Sequence, residues 1–483
     1  MNRGEVPGYE FEVPRGSRHG YGPRHAAGHE YVLPQLRRPP QPPPAPRSPV
    51  RDASSGVLAV MRKRNWLLGL AAPILAAVAV GIAVVVVAGG GGNAGAPSAL
   101  AAGFPPARLA GGNFTGAGAT SRVILDAIGA SAGTEVTAGA ANGGPALWVS
   151  VDGGSEWTRA ALGGPASLSQ AATGELAGVA HGRAGWVAVG TTLTAAGGPL
   201  VVSSPDARTW TATGGIAGLP AGSAVASAVA AGPAGYVIVG HQSAAGSGAA
   251  VAAAWYAPGL TGWRPAAVSQ QGQSGASGGQ MMNAVTAAGR GFVAVGATGT
   301  LPAAWLSATG RTWRQAQVPM PSGADRAALD YVAANGAELV AAGTEFSAAG
   351  ASRPFAEVSA DAGATWTQVQ LPVPDIGPGT GTTVTALTAA GGGFTAVGTY
   401  LTQAGPEVVV WTLPPRAPVT DGAAWALVTP QGKGLASTSA ENAITALAAG
   451  GATLTGVGFT APLTASGTPG AQQPTLWQSP IRY

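Results

Sequence analysis

Seven copies of one short segment, each closing on a glycine, constrain what this chain can fold into. They read EVTAG (135–139), GWVAVG (185–190), GYVIVG (235–240), GFVAVG (291–296), ELVAAG (338–343), GFTAVG (393–398) and TLTGVG (453–458). The closing glycines, Gly139, Gly190, Gly240, Gly296, Gly343, Gly398 and Gly458, are spaced by 51, 50, 56, 47, 55 and 60 residues. A period near fifty marks one supersecondary unit repeated and stacked on itself.

Each unit has further parts. A strand-like stretch precedes the glycine segment, as in RVILDAI (122–128), ELAGVA (175–180) and NAITALA (442–448). A short Gly-rich turn joins the two as a hairpin. A third strand carries an aromatic residue: Trp148, Trp255, Trp305, Phe355, Trp411 or Trp477, with PLVV (199–202) in the second copy. A fourth begins at Trp157, Trp210, Trp263, Trp313, Trp366 or Trp425. This pattern predicts an all-β fold, a seven-bladed β-propeller of four-stranded blades over 104–483. The last copy reaches its third strand at PTLWQSP (474–480) and ends at Tyr483 without a fourth. The upstream segment FPPARLAGGNFT (104–115) is expected to supply that strand and close the ring.

The link between third and fourth strands is the most specific element. SVDGGSEW (150–157) and SADAGATW (359–366) share Ser-x-Asp-x-Gly-x-x-Trp. The shared residues are Ser150, Asp152, Gly154 and Trp157 in one, and Ser359, Asp361, Gly363 and Trp366 in the other. SPDARTW (204–210) keeps Asp206 and Trp210 in a link one residue shorter, and SATGRTW (307–313) keeps Trp313 with Thr309 in place of Asp. An Asp in such a turn can accept backbone N–H bonds, glycine supplies a positive φ, and the Trp ring packs between blades. These residues are read as structural.

The motif resembles the Asp-box, or bacterial neuraminidase repeat, of sialidase-type β-propellers, over roughly residues 120–480. The resemblance implies that the boxes lie on the face opposite the ligand-binding mouth. It also implies what an enzyme of this family would need: three arginines on a carboxylate, a Tyr–Glu nucleophile pair and an Asp acid/base. Arg122, Arg326 and Arg353, with Tyr400 and Glu345, are the residues at hand. The family's Arg-Ile-Pro motif is absent, and SRVILD (121–126) is the nearest segment. No catalytic residue is therefore assigned. A non-catalytic binding or scaffold module for a protein, peptide or glycan is the main reading. An exo-sialidase or related glycoside hydrolase is the alternative.

Charge divides the chain. Residues 1–65 hold 11 bases and 5 acids, or +6; the rest holds 14 bases and 16 acids, or −2. Between them runs Trp66 to Ala88, 23 residues without a charged side chain. As a helix it would span about 34 Å, enough for a bilayer core of about 30 Å. Arg62, Lys63 and Arg64 precede it and no charge follows it from Gly89 to Ala102. The positive-inside rule then predicts a cytoplasmic tail (1–65), one transmembrane helix (66–88), a Gly/Ala-rich linker (89–103) and an extracytoplasmic propeller. A cleaved signal starting at Met61 is the competing reading, and the apolar run is long for an h-region. PPQPPPAPRSP (39–49) reads as polyproline II or disordered, a solvated spacer or a ligand for a cytoplasmic Pro-recognising partner.

Other chemistry is excluded or weak. With no Cys there is no disulfide framework and no Cys-based metal or redox site. No phosphate-binding loop or Gly-x-Ser-x-Gly occurs, and no cofactor or metal is expected. A body of charge −2 disfavours nucleic acid. In a propeller the mouth is formed by loops from second to third strand and between blades. Residues after the closing glycines are the ligand-binding candidates there: His241, Glu345 and Tyr400, with Arg326 and Arg353 nearby.

Overall fold

The computed structural model describes residues 114–115, 122–164, 173–192, 198–213, 224–244, 249–269, 278–374, 381–402, 405–428, 435, 440–464 and 469–481. All lie in the compact unit Asp52–Tyr483. The tail, the apolar run 66–88 and the linker 89–103 lie outside the described residues. Among the described residues, no helix is long and apolar enough to cross a membrane.

Seven sheets follow one another along the chain, and within each the blade's own strands run antiparallel in sequence order, while in three of them a short upstream strand adds in parallel at the outer edge. The first strands are Val123–Ser131, Gly174–Gly182, Ala224–Gly232, Gln280–Ala288, Arg326–Asn335, Thr382–Ala390 and Ala440–Gly450. Each packs on the first strands of the flanking blades, and that of blade seven packs on that of blade one. The result is a seven-bladed propeller with the first strands around its axis. Six blades have a fourth, outer strand; blade seven has three strands among the described residues.

The apolar residues seal the gaps between blades. Two residues before each closing glycine, the second strand faces one position of the third strand. That position is Trp148, Trp255, Trp305, Trp411 or Trp477 in blades one, three, four, six and seven. All five rings are fully buried. Blade two has Val202 there. Blade five has Glu357, not Phe355: Ala341 pairs with Glu357, and Phe355 lies two residues off, opposite Gly343. The sequence pattern aligned the wrong residue, because an aromatic two positions away on the same strand face looks like the repeat.

A second register position does similar work. Four residues before the closing glycine stand Trp186, Tyr236, Phe292, Leu339, Phe394 and Leu454 in blades two to seven. Blade one has Glu135, 3% exposed. The rings reach toward small residues of the preceding blade. A Cβ on Gly182 would come within 2.8 Å of the Tyr236 ring, and one on Gly232 within 2.9 Å of the Phe292 ring.

The two ends of the ring are built differently. At one end lie the first-to-second hairpin turns and the third-to-fourth links, joined by Gly153 N–H to Gly133 O (3.0 Å) and Ala362 N–H to Ala337 O (2.9 Å). At the other lie the second-to-third turns and the chain entering each first strand, joined by Asn142 N–H to Arg122 O (2.8 Å) and Ala327 N–H to Thr300 O (2.9 Å).

The third-to-fourth links are tied by their own side chains. Asp152 Oδ1 accepts from Ser150 Oγ (2.6 Å) and from the Ser155 and Glu156 N–H groups (both 3.0 Å). Asp206 Oδ1 accepts from the Arg208 and Thr209 N–H groups, and Asp361 Oδ1 from Thr365 N–H and Ser359 Oγ. The indoles of Trp157, Trp210 and Trp313 donate back to the carbonyls of Gly154, Ala207 and Gly310. The turn demands left-handed backbone, at Gly154 (φ 90) and Gly363 (φ 88), and even at Ala207 (φ 64). These bonds hold Asp152 below the usual carboxylate range, chiefly through Ser150, and Asp206 likewise through the Thr209 N–H.

The upstream segment departs from its expected place. Phe114–Thr115 runs parallel to the outer strand of blade one, Phe114 opposite Trp157 and Thr115 opposite Thr158. It does not lie on blade seven. The rest of the expected closing strand, 104–113, falls outside the described residues. Blades seven and one instead meet through Thr445 Oγ1 to Leu125 O (2.5 Å), Thr455 Oγ1 to Glu135 Oε1 (2.9 Å) and Gln478 Nε2 to Gly153 O (2.8 Å).

Candidate functional site

The closing glycines explain the centre of the molecule. A Cβ on Gly139, Gly190, Gly240, Gly296, Gly343, Gly398 or Gly458 would overlap the carbonyl oxygen of Ile124, Glu175, Val225, Met281, Ala328, Thr383 or Ala443 respectively. Each of these carbonyls belongs to a first strand that bulges one or two residues later. The register skips between Leu125 and Ala127, Leu176 and Gly178, Ala226 and Ala228, Met282 and Ala284, Leu329 and Tyr331, Val384 and Ala386, and Ile444 and Ala446. A bulge leaves one residue outside the ladder and re-aims its side chain. Only glycine tolerates the close backbone approach opposite it.

The seven bulge residues are Asp126, Ala177, Ser227, Asn283, Asp330, Thr385 and Thr445. All seven line one cavity of about 290 Å³ on the propeller axis. Asn283 Nδ2 donates to Leu329 O (3.1 Å) and to Asp330 Oδ1 (3.2 Å) of the next blade, and Thr445 Oγ1 bonds Leu125 O. The ring of bulges therefore both lines the channel and stitches neighbouring blades.

The chemistry of the lining is one-sided. Three acidic residues, Asp126, Glu175 and Asp330, face the cavity together with His241, and among the described residues no Lys or Arg does. Burial pushes the His241 imidazole below its usual range, so it adds no positive charge at neutral pH. Among the described residues, no group of three His, Cys, Asp or Glu side chains is placed to hold a metal ion.

Of the mouth candidates, only His241 lines this cavity. Arg326 lies over the Phe346 ring, 4.3 Å from its centroid. Glu345 stands opposite Arg353 across two strands of blade five. Burial raises the Glu345 carboxyl and the Arg353 charge opposes that rise. Tyr400 does not pair with Glu345. Its Oη donates to Glu407 Oε2 at 2.7 Å, on the neighbouring strand of blade six. Burial, and then the Glu407 carboxylate, push the phenol well above its usual range. Arg122 opens blade one, whereas Arg326 and Arg353 belong to blade five, and none of the three lines the channel.

The bulge residues escaped sequence reading, yet the signal was regular. Asp126 precedes Gly139 by thirteen residues, Ala177 precedes Gly190 by thirteen, and the same count holds in the other five blades. The fixed hairpin turn makes the spacing constant.

No protein-family model matches the chain, and no curated protein matches it. Among solved structures, Trypanosoma rangeli sialidase is 12% identical with a TM-score of 0.35, over 74% of this chain and 54% of that one. The NanB sialidase of Streptococcus pneumoniae is 10% identical with a TM-score of 0.39, over 78% of this chain and 70% of that one. The phage phi92 endosialidase is 10% identical with a TM-score of 0.37, over 74% and 67%. This chain spans about half the length of the Trypanosoma rangeli enzyme. Likeness at this level concerns the fold alone; the chemistry has to be argued from the channel.

Proposed function

We propose that this chain is a membrane-anchored propeller, displayed outside the cytoplasm, that binds a ligand without transforming it. The observation that carries the binding reading is the composition of the axial cavity: three acidic residues, a neutral histidine and, among the described residues, no Lys or Arg. A sialic acid presents a carboxylate, and such a lining repels it. A neutral glycan, or a peptide offering a basic side chain, fits the same surface. The anchor rests on the uncharged run Trp66–Ala88 behind Arg62, Lys63 and Arg64. In this reading Ser150, Asp152, Asp206, Ser359 and Asp361 are Asp-box residues that shape turns and touch no ligand. The Pro-rich tail is left in the cytoplasm for a partner there.

One observation favours a glycoside hydrolase instead. Tyr400 and Glu407 form a tyrosine–carboxylate pair near a second-to-third turn. A phenol raised by its neighbour is poorly disposed to act as a nucleophile in its resting state. The two readings separate in one experiment on the full-length protein. A fluorogenic sialoside is expected to remain intact, while an array of neutral glycans and basic peptides gives binding that Asp330→Asn weakens by tenfold or more. Sialoside turnover lost in Tyr400→Phe would overturn the binding reading.

A further inference from the structure

The axial cavity is ordered along its length. Each first strand runs from the mouth, where the chain enters the blade, toward its hairpin turn at the opposite end. The lining can therefore be ranked by depth. Nearest the mouth stand Glu175, two residues before the bulge of its blade, and Thr191 and His241, directly after closing glycines. The bulge level follows, with Asp126 and Asp330. One residue deeper, six of the seven first strands carry Ala or Gly, and the seventh carries Tyr331. Two residues deeper than the bulge, every first strand carries a branched aliphatic residue. Five of these, Ile128, Val179, Val229, Leu387 and Leu447, line the cavity. Among the described residues, no later residue of a first strand does.

Charge thus lies outward and hydrocarbon inward. The inward level is fixed from behind. Ile128, Val229 and Leu447 belong to three separate clusters between blades, and Val179 and Leu387 pack against two more. Val179 and Leu387 stay half-buried and keep aliphatic surface on the axis. Together the five make a preformed apolar floor.

This order narrows the ligand, on the premise that the bore is the binding site proposed above. A sugar carries hydroxyls all round and would lose hydrogen bonds against the floor. A lysine side chain reaches the acids with its tip and leaves the floor bare. We propose that the bore takes a primary ammonium carried by a short apolar group: the amino terminus of a peptide whose first residue is apolar, or a free amine of that build. The ammonium lies level with Asp126, Glu175 and Asp330, the apolar group covers the floor, and the remainder leaves through the mouth. Bulge and floor are two residues apart, about 6.6 Å along a strand, the scale of one side chain. The 290 Å³ of the cavity falls just below the roughly 300 Å³ at which ordinary small-molecule sites begin, so one such group fills it. Neutral His241 adds no competing charge.

Calorimetric titration of the full-length protein tests this with leucyl-glycyl-glycine amide, its N-acetyl form, triglycine amide, N-acetyl-glycyl-glycyl-lysine amide and 3-methylbutylamine. The free leucyl peptide is expected to bind at least tenfold more tightly than the acetylated, glycine-first or lysine-tipped peptide. Asp330→Asn should weaken the leucyl peptide and triglycine amide alike. Val179→Thr, close to the same shape, should weaken the leucyl peptide alone. Equal binding of 3-methylbutylamine identifies a free amine as the source of the ammonium, and weaker binding identifies a peptide terminus. Acetylated and free leucyl peptides of equal affinity, or a lysine-tipped peptide that binds more tightly, overturn the inference and leave the binding reading standing. So does a neutral glycan that binds where no amine does. Equal affinity for the leucyl peptide and triglycine amide in the unsubstituted protein removes the floor from the site, whatever Val179→Thr does. Sialoside turnover with no amine bound overturns both readings.

Discussion

The junction between blades two and three and the junction between blades seven and one solve one problem with different chemistry. At the first, Tyr236 crosses from blade three and its hydroxyl donates to Gly185 O (2.8 Å) and accepts from Ala184 N–H (3.1 Å). Its ring is buried with Val187, Val189, Ile238 and Trp255. At the second, Glu135 holds the same register position and takes a hydrogen bond from Thr455, while Gln478 and Thr445 bond across the seam. Shape seals the first junction, because ring area removed from water is what holds it. Directed bonds seal the second. The lesson is that where blade one lacks the ring or leucine of this register position, a carboxylate and its hydrogen bonds take over the contact.

The largest effect tests the apolar side of this contrast. Trp255→Ala should cost about 3–5 kcal/mol, seen as a large drop in Tm, because the cavity lies inside a packed junction. An effect no larger than that of a surface substitution would mean that shape does not hold this junction.

Next comes a buried acid inside an ordinary blade. Glu357 is fully buried, and among the described residues neither carboxylate oxygen has a hydrogen-bond partner. Burial pushes its carboxyl up to about 8. The folded state therefore holds a proton that the unfolded state releases near its ordinary value. The stability tied to this proton is complete below about pH 4.5 and is lost as pH rises toward 8. Glu357→Gln should flatten the fall of Tm between pH 5 and 9, by an amount on the order of a few kcal/mol at the alkaline end. A wild-type Tm that holds level across that range would sink the idea.

The seam itself should respond more weakly in the same sense. Burial also raises Glu135, partly offset by the Thr455 bond. Glu135→Leu gives this junction the residue found in blades five and seven, and should raise Tm more at pH 9 than at pH 5. Smallest is Thr445→Val, which removes the bonds to Leu125 O and Val457 O and should cost about 1 kcal/mol by denaturant titration. In the opposite sense, Asp152, Asp206 and Asp361 are held low and add stability that disappears only in strong acid. Together these groups place the stability maximum in mildly acidic solution.

Blade number and the tied links were legible because glycine and tryptophan occur where backbone geometry and ring area demand them. The channel was less legible. Asp126, Ser227, Asn283 and Thr445 share no side-chain type, so no pattern of identity marks them; only their distance from a glycine does. Glu357 was hidden by Phe355, since a strand repeats its facing every two residues and either could carry the pattern. Phe114 was readable as part of an upstream strand but not as a partner of blade one, because parallel contacts between outer strands leave no trace in local sequence.

The thirteen-residue rule has a consequence for how such a molecule can diversify. Each bulge residue stands outside the ladder while the glycine opposite carries the steric demand. Four of the seven positions already differ in chemical type, from Ala177 to Asp330 by way of Ser227 and Asn283, on one unchanged backbone device. Identity at the axis is thereby uncoupled from the hairpin's backbone register, while Asn283 and Thr445 use their side chains to bond the neighbouring blade. A propeller of this design offers seven positions of variable chemistry around a single bore on one unchanged backbone device, so a new ligand preference can arise by single substitutions at the positions that do not also bond a neighbouring blade.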